Sequence, residues 1–160
     1  MILATYRDGF YDFFLFLHIT AAIVGFGGVL LNGLYGAQAK KRPGPGGLAI
    51  TEANYAVNLV AEKAIYLVPL FGFALIGLSD SLYSFSQTWI TAALVLYVIG
   101  LANARLVLVP TQKHMIDMMK EGPPDPMKME AAGKRLAMFG GFSHLIFTLI
   151  MIVMIWKPGL

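Results

Sequence analysis

One apolar stretch near the start of the chain, Tyr11–Gly36, is longer than the hydrocarbon core of a bilayer is thick. It holds no charge beyond Asp12, and about 20 predominantly apolar residues are enough for a transmembrane helix. Read as a helix, it carries small or polar residues at steps of three or four, which share one face: His18, Ala21, Gly25, Gly28, Asn32 and Gly36. Small residues let a neighbouring helix approach closely, so the pattern predicts that His18 and Asn32 point into the protein interior.

Three further apolar stretches follow along the chain. The predicted spans are 11–36, 56–78, 89–109 and 136–156. Only 13% of the residues are charged, about half the share of a soluble domain, as a lipid-facing surface requires. Short connections between the spans predict an all-α, polytopic membrane protein, a four-helix up-down-up-down bundle that forms one domain over residues 1–160. Strands are not expected, because the apolar runs do not alternate with polar residues.

Prolines and glycines suggest where the helices begin and end. Residues 37–52 are basic and rich in helix breakers, which predicts a loop. Pro69 is expected to bend the second span, and Pro110 is expected to end the third. Asp125 and Pro126 form an N-cap and first-turn pair for a helix that should continue into the fourth span.

The basic residues are concentrated in two of the three connections. The first and third connections hold Lys40, Lys41, Arg42, Lys113, Lys120, Lys128, Lys134 and Arg135, against Arg7 and Lys157 on the other side. The positive-inside rule then predicts that the first and third connections are cytoplasmic and that both termini lie outside. We expect a multi-pass protein of the bacterial inner membrane. The start of the chain lacks the features of a cleaved signal peptide, so we expect it to be retained. Topology and headgroup contact explain the basic runs better than nucleic-acid binding.

Each span carries polar residues at a similar depth, nearer its cytoplasmic end. Counted at about 1.5 Å per residue, this layer contains Asn32, Glu62, Lys63, Asn103, Arg105 and His144. Glu62 and Arg105 match in depth and differ in sign, which predicts an ion pair. The layer could bind an anionic ligand or relay protons. Salt bridges and hydrogen bonds that fix helix register are favoured, because ionisable groups this near an interface reach water at low cost.

Two interior histidines raise a haem hypothesis, since imidazoles from two helices of a bundle can ligate haem iron. Helical rise places His18 about 10 Å and His144 about 18 Å below the outer end. A shared iron therefore requires the helix boundaries to shift by a few residues, and a hydrogen-bonded histidine is favoured at each position. Two separate sites, or a haem with Met as second ligand, are the alternatives. The cofactor would be haem b or another tetrapyrrole.

Other site chemistry finds little support in the sequence. His114, Met115, Met118 and Met119 could offer soft ligands to Cu(I), but their spacing is that of an amphipathic helix face, so no metal site is predicted. The absence of cysteine excludes thiolate metal sites and thiol catalysis. No phosphate loop, zinc helix or nucleophile elbow is recognisable, which disfavours an enzyme.

Three segments carry a resemblance to a family. Phe14–Gly28 (FLFLHITAAIVGFGG), Leu106–Pro110 (LVLVP) and Met151–Pro158 (MIVMIWKP) resemble predicted bacterial integral membrane proteins of the domain-of-unknown-function family twenty-two sixty-nine. A similar His-bearing first helix occurs in copper-resistance D-type proteins and in the membrane protoporphyrinogen oxidase family, which would imply copper or a tetrapyrrole. Val24–Gly28 lacks the Trp of their "VWxGG" pattern. The resemblance implies a four-helix membrane fold and gives weight to His18, but implies no established activity.

Three functions follow from these observations. The favoured one is a non-catalytic accessory or structural subunit of a larger membrane complex, whose partners are lipid and other subunits or further copies of the chain. Its connections are too short for a catalytic domain, and its glycine faces suit tight helix packing. The second is a haem or tetrapyrrole redox protein using His18, with or without His144. The third is a carrier of copper or a small solute, which would need a dimer.

Overall fold

A computed structural model describes the backbone of residues 2–159 and the side chains of residues 9–159. The helices are α1 (Ile2–Leu30), α2 (Asn32–Lys40), α3 (Pro45–Leu78), α4 (Thr88–Asn103), a π-helical segment (Ala104–Leu108), α5 (Val109–Lys120) and α6 (Pro126–Trp156). Residues 2–159 contain no β-strand. The pieces join into four long helices that are apolar enough to cross a membrane, namely Gly9–Lys40, Pro45–Leu78, Thr88–Lys120 and Pro126–Trp156. The predicted all-α, four-helix membrane fold is confirmed.

The helices extend beyond the predicted spans. They contain 31 to 34 residues, or about 47 to 51 Å at the α-helical rise, against a hydrocarbon core of about 30 Å. The predicted loop at residues 37–52 is wrong, since α2 continues to Lys40 and α3 already begins at Pro45. Pro45 occupies the first turn of α3, where a missing N–H is not needed. Gly44 makes the reversal at φ 75°, which glycine adopts without strain.

Pro110 does not end the third long helix, contrary to prediction. The chain passes it through the π-helical segment, in which the N–H of Val109 donates to the carbonyl of Ala104, five residues earlier. A wider turn gives the proline ring room beside the preceding carbonyls. The hydroxyl of Thr111 donates to the carbonyl of Val107 at 2.6 Å, and the helix continues to Lys120.

The predicted start of α6 is confirmed. Asp125 Oδ1 accepts a hydrogen bond from the N–H of Met127 at 2.8 Å, and Pro126 is the first helical residue. At the other end of α6, Lys157 Nζ donates to Tyr83 Oη at 2.6 Å. This contact joins the end of the fourth long helix to the connection between the second and third.

The core lies where two helical hairpins meet. In the first hairpin, a Cβ atom added at Gly25 would lie 2.6 Å from Ile65 Cγ1, and one at Gly28 would lie 2.7 Å from Ala61 Cβ. The predicted small-residue face of α1 therefore packs closely on α3 at these positions. The second hairpin pairs α4 with α6, and the hairpins meet at stacked aromatic rings whose centroids are 4.4 Å apart, those of Phe26 and Phe147.

Candidate functional site

The second and third long helices are joined by long polar side chains, and we call this contact the polar seam. It contains four links: Tyr97 Oη to the carbonyl of Ile65 at 3.5 Å, Arg105 Nε to Glu62 Oε1 at 2.9 Å, Asn58 Nδ2 to Gln112 Oε1 at 2.9 Å, and Lys120 Nζ to Glu52 Oε1 at 2.7 Å. The links follow α3 for about 20 Å at the α-helical rise. Polar contacts thus extend from the core to the basic end of the bundle.

The ion pair predicted from depth and charge is present in the seam. Besides Arg105, the carboxylate of Glu62 accepts a hydrogen bond from Tyr66 Oη at 2.6 Å, and Arg105 Cζ lies 5.9 Å from the centre of the Tyr66 ring. The Glu62 side chain is 16% exposed and that of Arg105 is 56% exposed. Glu62 is therefore satisfied inside the protein, while the guanidinium also reaches the surface.

Asn103 links the two helices of the second hairpin. It is buried, and its Nδ2 donates to Ser143 Oγ at 2.8 Å and to the carbonyl of Phe139 at 2.9 Å. An amide with two such bonds can fix the rotation and register of neighbouring helices in lipid. This arrangement fits the structural interpretation of the polar layer.

Asn32, another predicted member of the layer, lies at the first position of α2. The α1–α3 register pairs Gly25 with Ile65 and Gly28 with Ala61, so its continuation places Asn32 at the level of Asn58. Both line a cavity of about 50 Å³ between the hairpins. Its other polar lining residues include Glu62, Gln112 and Ser143.

The two interior histidines lie at different levels. His18 Nδ1 is 2.8 Å from the carbonyl of Val68, whereas His144 Nε2 is 3.2 Å from the carbonyl of Val29. Val29 follows His18 by eleven residues, or about 16 Å along a helix. The structure therefore does not bring His18 and His144 together as axial ligands of one iron.

Several of these polar side chains contact backbone carbonyls near helix irregularities. Pro69 has no N–H, so the carbonyl of Ile65 lacks its α-helical donor, and Tyr97 donates to it instead. Val29, the acceptor for His144, lies in the last turn of α1, where carbonyls lack intrahelical partners. Neighbouring helices commonly satisfy such groups inside membranes.

Sequence reasoning missed Tyr97, Gln112 and the role of Asn58. A proline within an apolar span leaves the carbonyl four residues earlier without a hydrogen-bond donor from its own helix. This signal could have identified the carbonyl of Ile65 as an acceptor. Nothing comparable marks Gln112, because its direction depends on the π-helical segment before it. Among the described residues, no group of three His, Cys, Asp or Glu side chains is arranged to hold a metal.

Four long apolar helices around a polar layer define a polytopic helical membrane protein. The profile of the family described as "Predicted integral membrane protein (DUF2269)" matches residues 13–158, and the chain belongs to that family. A search of curated proteins and a search of solved structures found no match. The family membership confirms the predicted resemblance to that family and gives the protein its class, an integral membrane protein.

Proposed function

We propose that this protein is a non-catalytic, multi-pass subunit of the bacterial inner membrane that packs against another membrane protein. The observation that carries this proposal is that several of its interior polar side chains are bonded to other groups of the same chain. Glu62, Asn103 and both interior histidines contact groups on neighbouring helices. The cavity in the polar layer, at about 50 Å³, is far smaller than the roughly 300–1,000 Å³ of organic ligand sites.

The outer surface supports a protein partner. Several glycines face outward, with nothing in the described part of the chain within 4 Å of an added Cβ; these include Gly27, Gly33, Gly36, Gly140 and Gly141. Glycine destabilises the interior of a helix by about 1 kcal/mol relative to alanine. In lipid, however, small residues on a helix surface allow another helix to approach closely. The outer surface also has an apolar groove of about 330 Å³ between α1 and α3, lined by Val24, Gly28, Ala56, Val57, Val60 and Ala61.

The orientation belongs to the same proposal. The basic first and third connections lie at one end of the bundle, which supports a cytoplasmic location for that end. Both termini would then lie on the outer side. A subunit in this orientation presents its polar layer to the cytoplasmic half of the membrane.

Site-directed cross-linking tests the proposed partner contact, because the chain contains no native cysteine. Gly27→Cys, Gly36→Cys and Gly140→Cys each place one thiol on the outer surface. We expect at least one of them to cross-link to a membrane protein in native membranes, whereas Ser143→Cys, at a buried position, does not. A chain that purifies alone in mild detergent and yields no cross-link at any of the three positions would contradict the proposal.

A second function is favoured by one contact of His18. Its Nδ1 donates to the carbonyl of Val68 at 2.8 Å, and its Nε2 has no hydrogen-bond partner among the described residues. Metal-ligating histidines commonly use this arrangement, in which a carbonyl orients the ring. His18 could therefore ligate a haem or another tetrapyrrole without His144.

An absorption spectrum of the purified protein separates the two functions. Haem binding predicts a Soret band that is lost in His18→Ala and kept in His144→Ala. A colourless protein from haem-supplied cells would rule out the second function and leave the first intact.

A further inference from the structure

Lys63 is a charged residue in a membrane-spanning helix that has no partner of opposite charge among the described residues. Its side chain is exposed, and no ion pair or hydrogen bond of the described part of the chain includes it. It lies fifteen residues before Leu78, the last residue of α3, or about 22 Å at the α-helical rise. A hydrocarbon core of about 30 Å that begins at this end of α3 therefore contains Lys63.

Lys63 shares a helix face with the apolar groove between α1 and α3. Ala56 and Val60 line that groove, and residues with the spacing of 56, 60 and 63 lie one above another on a helix. A helical side chain leans towards the N-terminal end of its own helix, which directs Lys63 towards the turn of Val60. Lys63 therefore lies at the edge of the groove.

Small residues make this groove suitable for another helix. Gly28, Ala56 and Ala61 line it together with valines, and small residues allow two helices to approach closely in lipid. A helix packed in the groove would cover Lys63 and block the route of its ammonium group to the headgroups. A charge that is covered in this way destabilises the contact unless a group of opposite charge pairs with it.

A second copy of the chain does not supply that opposite charge. The acidic residues within the predicted spans are Asp12 and Glu62. The α1–α3 register places Asp12 about 20 Å from Lys63 along the bundle. Glu62 is already paired with Arg105 at 2.9 Å, and its side chain is only 16% exposed. A carboxylate for Lys63 therefore has to come from a different protein.

We infer, on the basis of the proposed subunit function, that the groove receives a transmembrane helix of a different protein, and that this helix places an aspartate or glutamate against Lys63. The chemistry of the partner follows from the two parts of the surface. Apolar side chains fill the groove, and one carboxylate neutralises the ammonium group. Such a pair fixes the depth and the rotation of the incoming helix.

Carbodiimide cross-linking tests for the carboxylate, because this reagent joins a lysine amine to an adjacent carboxylate through an amide bond. Native membranes are treated with dicyclohexylcarbodiimide, which enters lipid, and the peptides linked to residue 63 are identified by mass spectrometry. We expect an aspartate or glutamate from an apolar segment of another membrane protein. Lys63→Arg is the matched control, because it keeps the charge but does not form the amide.

A cysteine in the groove tests whether the charge matters for binding. Val60→Cys should cross-link to the same protein that carbodiimide links to Lys63. Lys63→Met in the Val60→Cys chain should lower the yield by about tenfold or more, because it leaves the partner's carboxylate covered and unpaired. Lys63→Arg should keep the yield. Lys63 is exposed, so both substitutions leave the packing of the bundle intact.

Two results would overturn the inference. Absence of a carbodiimide link from Lys63 to another protein would mean that Lys63 only reaches the lipid headgroups. An unchanged Val60→Cys yield with Lys63→Met would show that the charge does not contribute to the contact. If Gly27→Cys, Gly36→Cys or Gly140→Cys still cross-links to a membrane protein, the proposed function stands without this inference, and if none does, both fail.

Discussion

Helix α3 makes two very different contacts. Towards α1 it presents Ala61, which is 1% exposed and lies directly against Gly28, so the two backbones come close. Towards the third long helix it presents Glu62 and Asn58, whose partners reach across the polar seam with long side chains. The first contact depends on shape and the second on hydrogen bonds and charge.

The difference has an energetic consequence in lipid. Without a hydrophobic driving force between membrane helices, close van der Waals packing is a main source of association. Interhelical hydrogen bonds contribute about 0.6 kcal/mol on average in a membrane, and exposed ion pairs about 0–1 kcal/mol. We therefore expect the close α1–α3 contact to be more sensitive to substitution than the polar seam. The free energy of unfolding of each variant can be measured by titrating the detergent-solubilised protein with SDS and monitoring its circular dichroism.

The largest effect is expected for Gly28→Val. An added Cβ would lie 2.7 Å from the methyl group of Ala61, and overpacking of this kind costs about 1–3 kcal/mol. Gly27→Val is the matched control, because nothing lies within 4 Å of its added Cβ. Equal decreases in the free energy of unfolding of the two variants would show that helix propensity, and not the close contact with Ala61, determines the effect of Gly28→Val.

A smaller effect is expected for Asn103→Ala, which removes two hydrogen bonds to α6. The loss should be about 1 kcal/mol. A double-mutant cycle with Ser143→Ala isolates the side-chain bond, and its coupling should be about 0.6 kcal/mol. Strict additivity of the two substitutions would mean that this bond does not hold α4 against α6.

Glu62→Gln should cost less, about 0.5 kcal/mol, because Arg105 is half exposed and can reach water or headgroups. Arg105→Gln should have a similar effect, and both losses should shrink at high salt. The exchange of the two residues in one chain should restore part of the stability. A loss of several kcal/mol from either single substitution would show that the seam is as tightly packed as the α1–α3 contact.

The smallest effect is expected for Tyr97→Phe, at a few tenths of a kcal/mol, because its bond to the carbonyl of Ile65 is long at 3.5 Å. Pro69→Ala would supply a backbone N–H for that carbonyl. Tyr97→Phe should then cost nothing further in the Pro69→Ala background. An unchanged cost in that background would assign Tyr97 a role other than carrying this bond.

Much of the fold could be predicted because its signals are local. The length of Tyr11–Gly36, the Asp125–Pro126 cap and the opposite charges of Glu62 and Arg105 each follow from a few neighbouring residues or from depth alone. The features that were missed depend on context. Residues 37–52 contain helix breakers, but Pro45 lies at a helix start, where it is tolerated, and Pro110 is accommodated by a change in the preceding turn.

The candidate site was predictable to a similar extent. Depth along each span placed Asn32, Glu62, Asn103 and Arg105 in one layer, but their partners on other helices depend on rotation about the helix axis. Depth does not determine rotation. The Asn58–Gln112 bond, which is one of the four links of the polar seam, therefore could not be predicted from the sequence pattern.

The π-helical segment acts like a one-residue insertion in the third long helix. It sets the direction in which the side chains of α5 point. Asn103 and Gln112 are nine residues apart, and at about 100° per residue they would point to opposite sides of a regular helix. The wider turn absorbs roughly one residue and reduces the difference to about 80°, so both side chains face inward. Regular α-helical winding of Ala104–Leu108 with all five residues kept would turn Gln112 away from Asn58, whereas deleting Ala104 would restore regular winding and leave the angle between Asn103 and Gln112 near 80°.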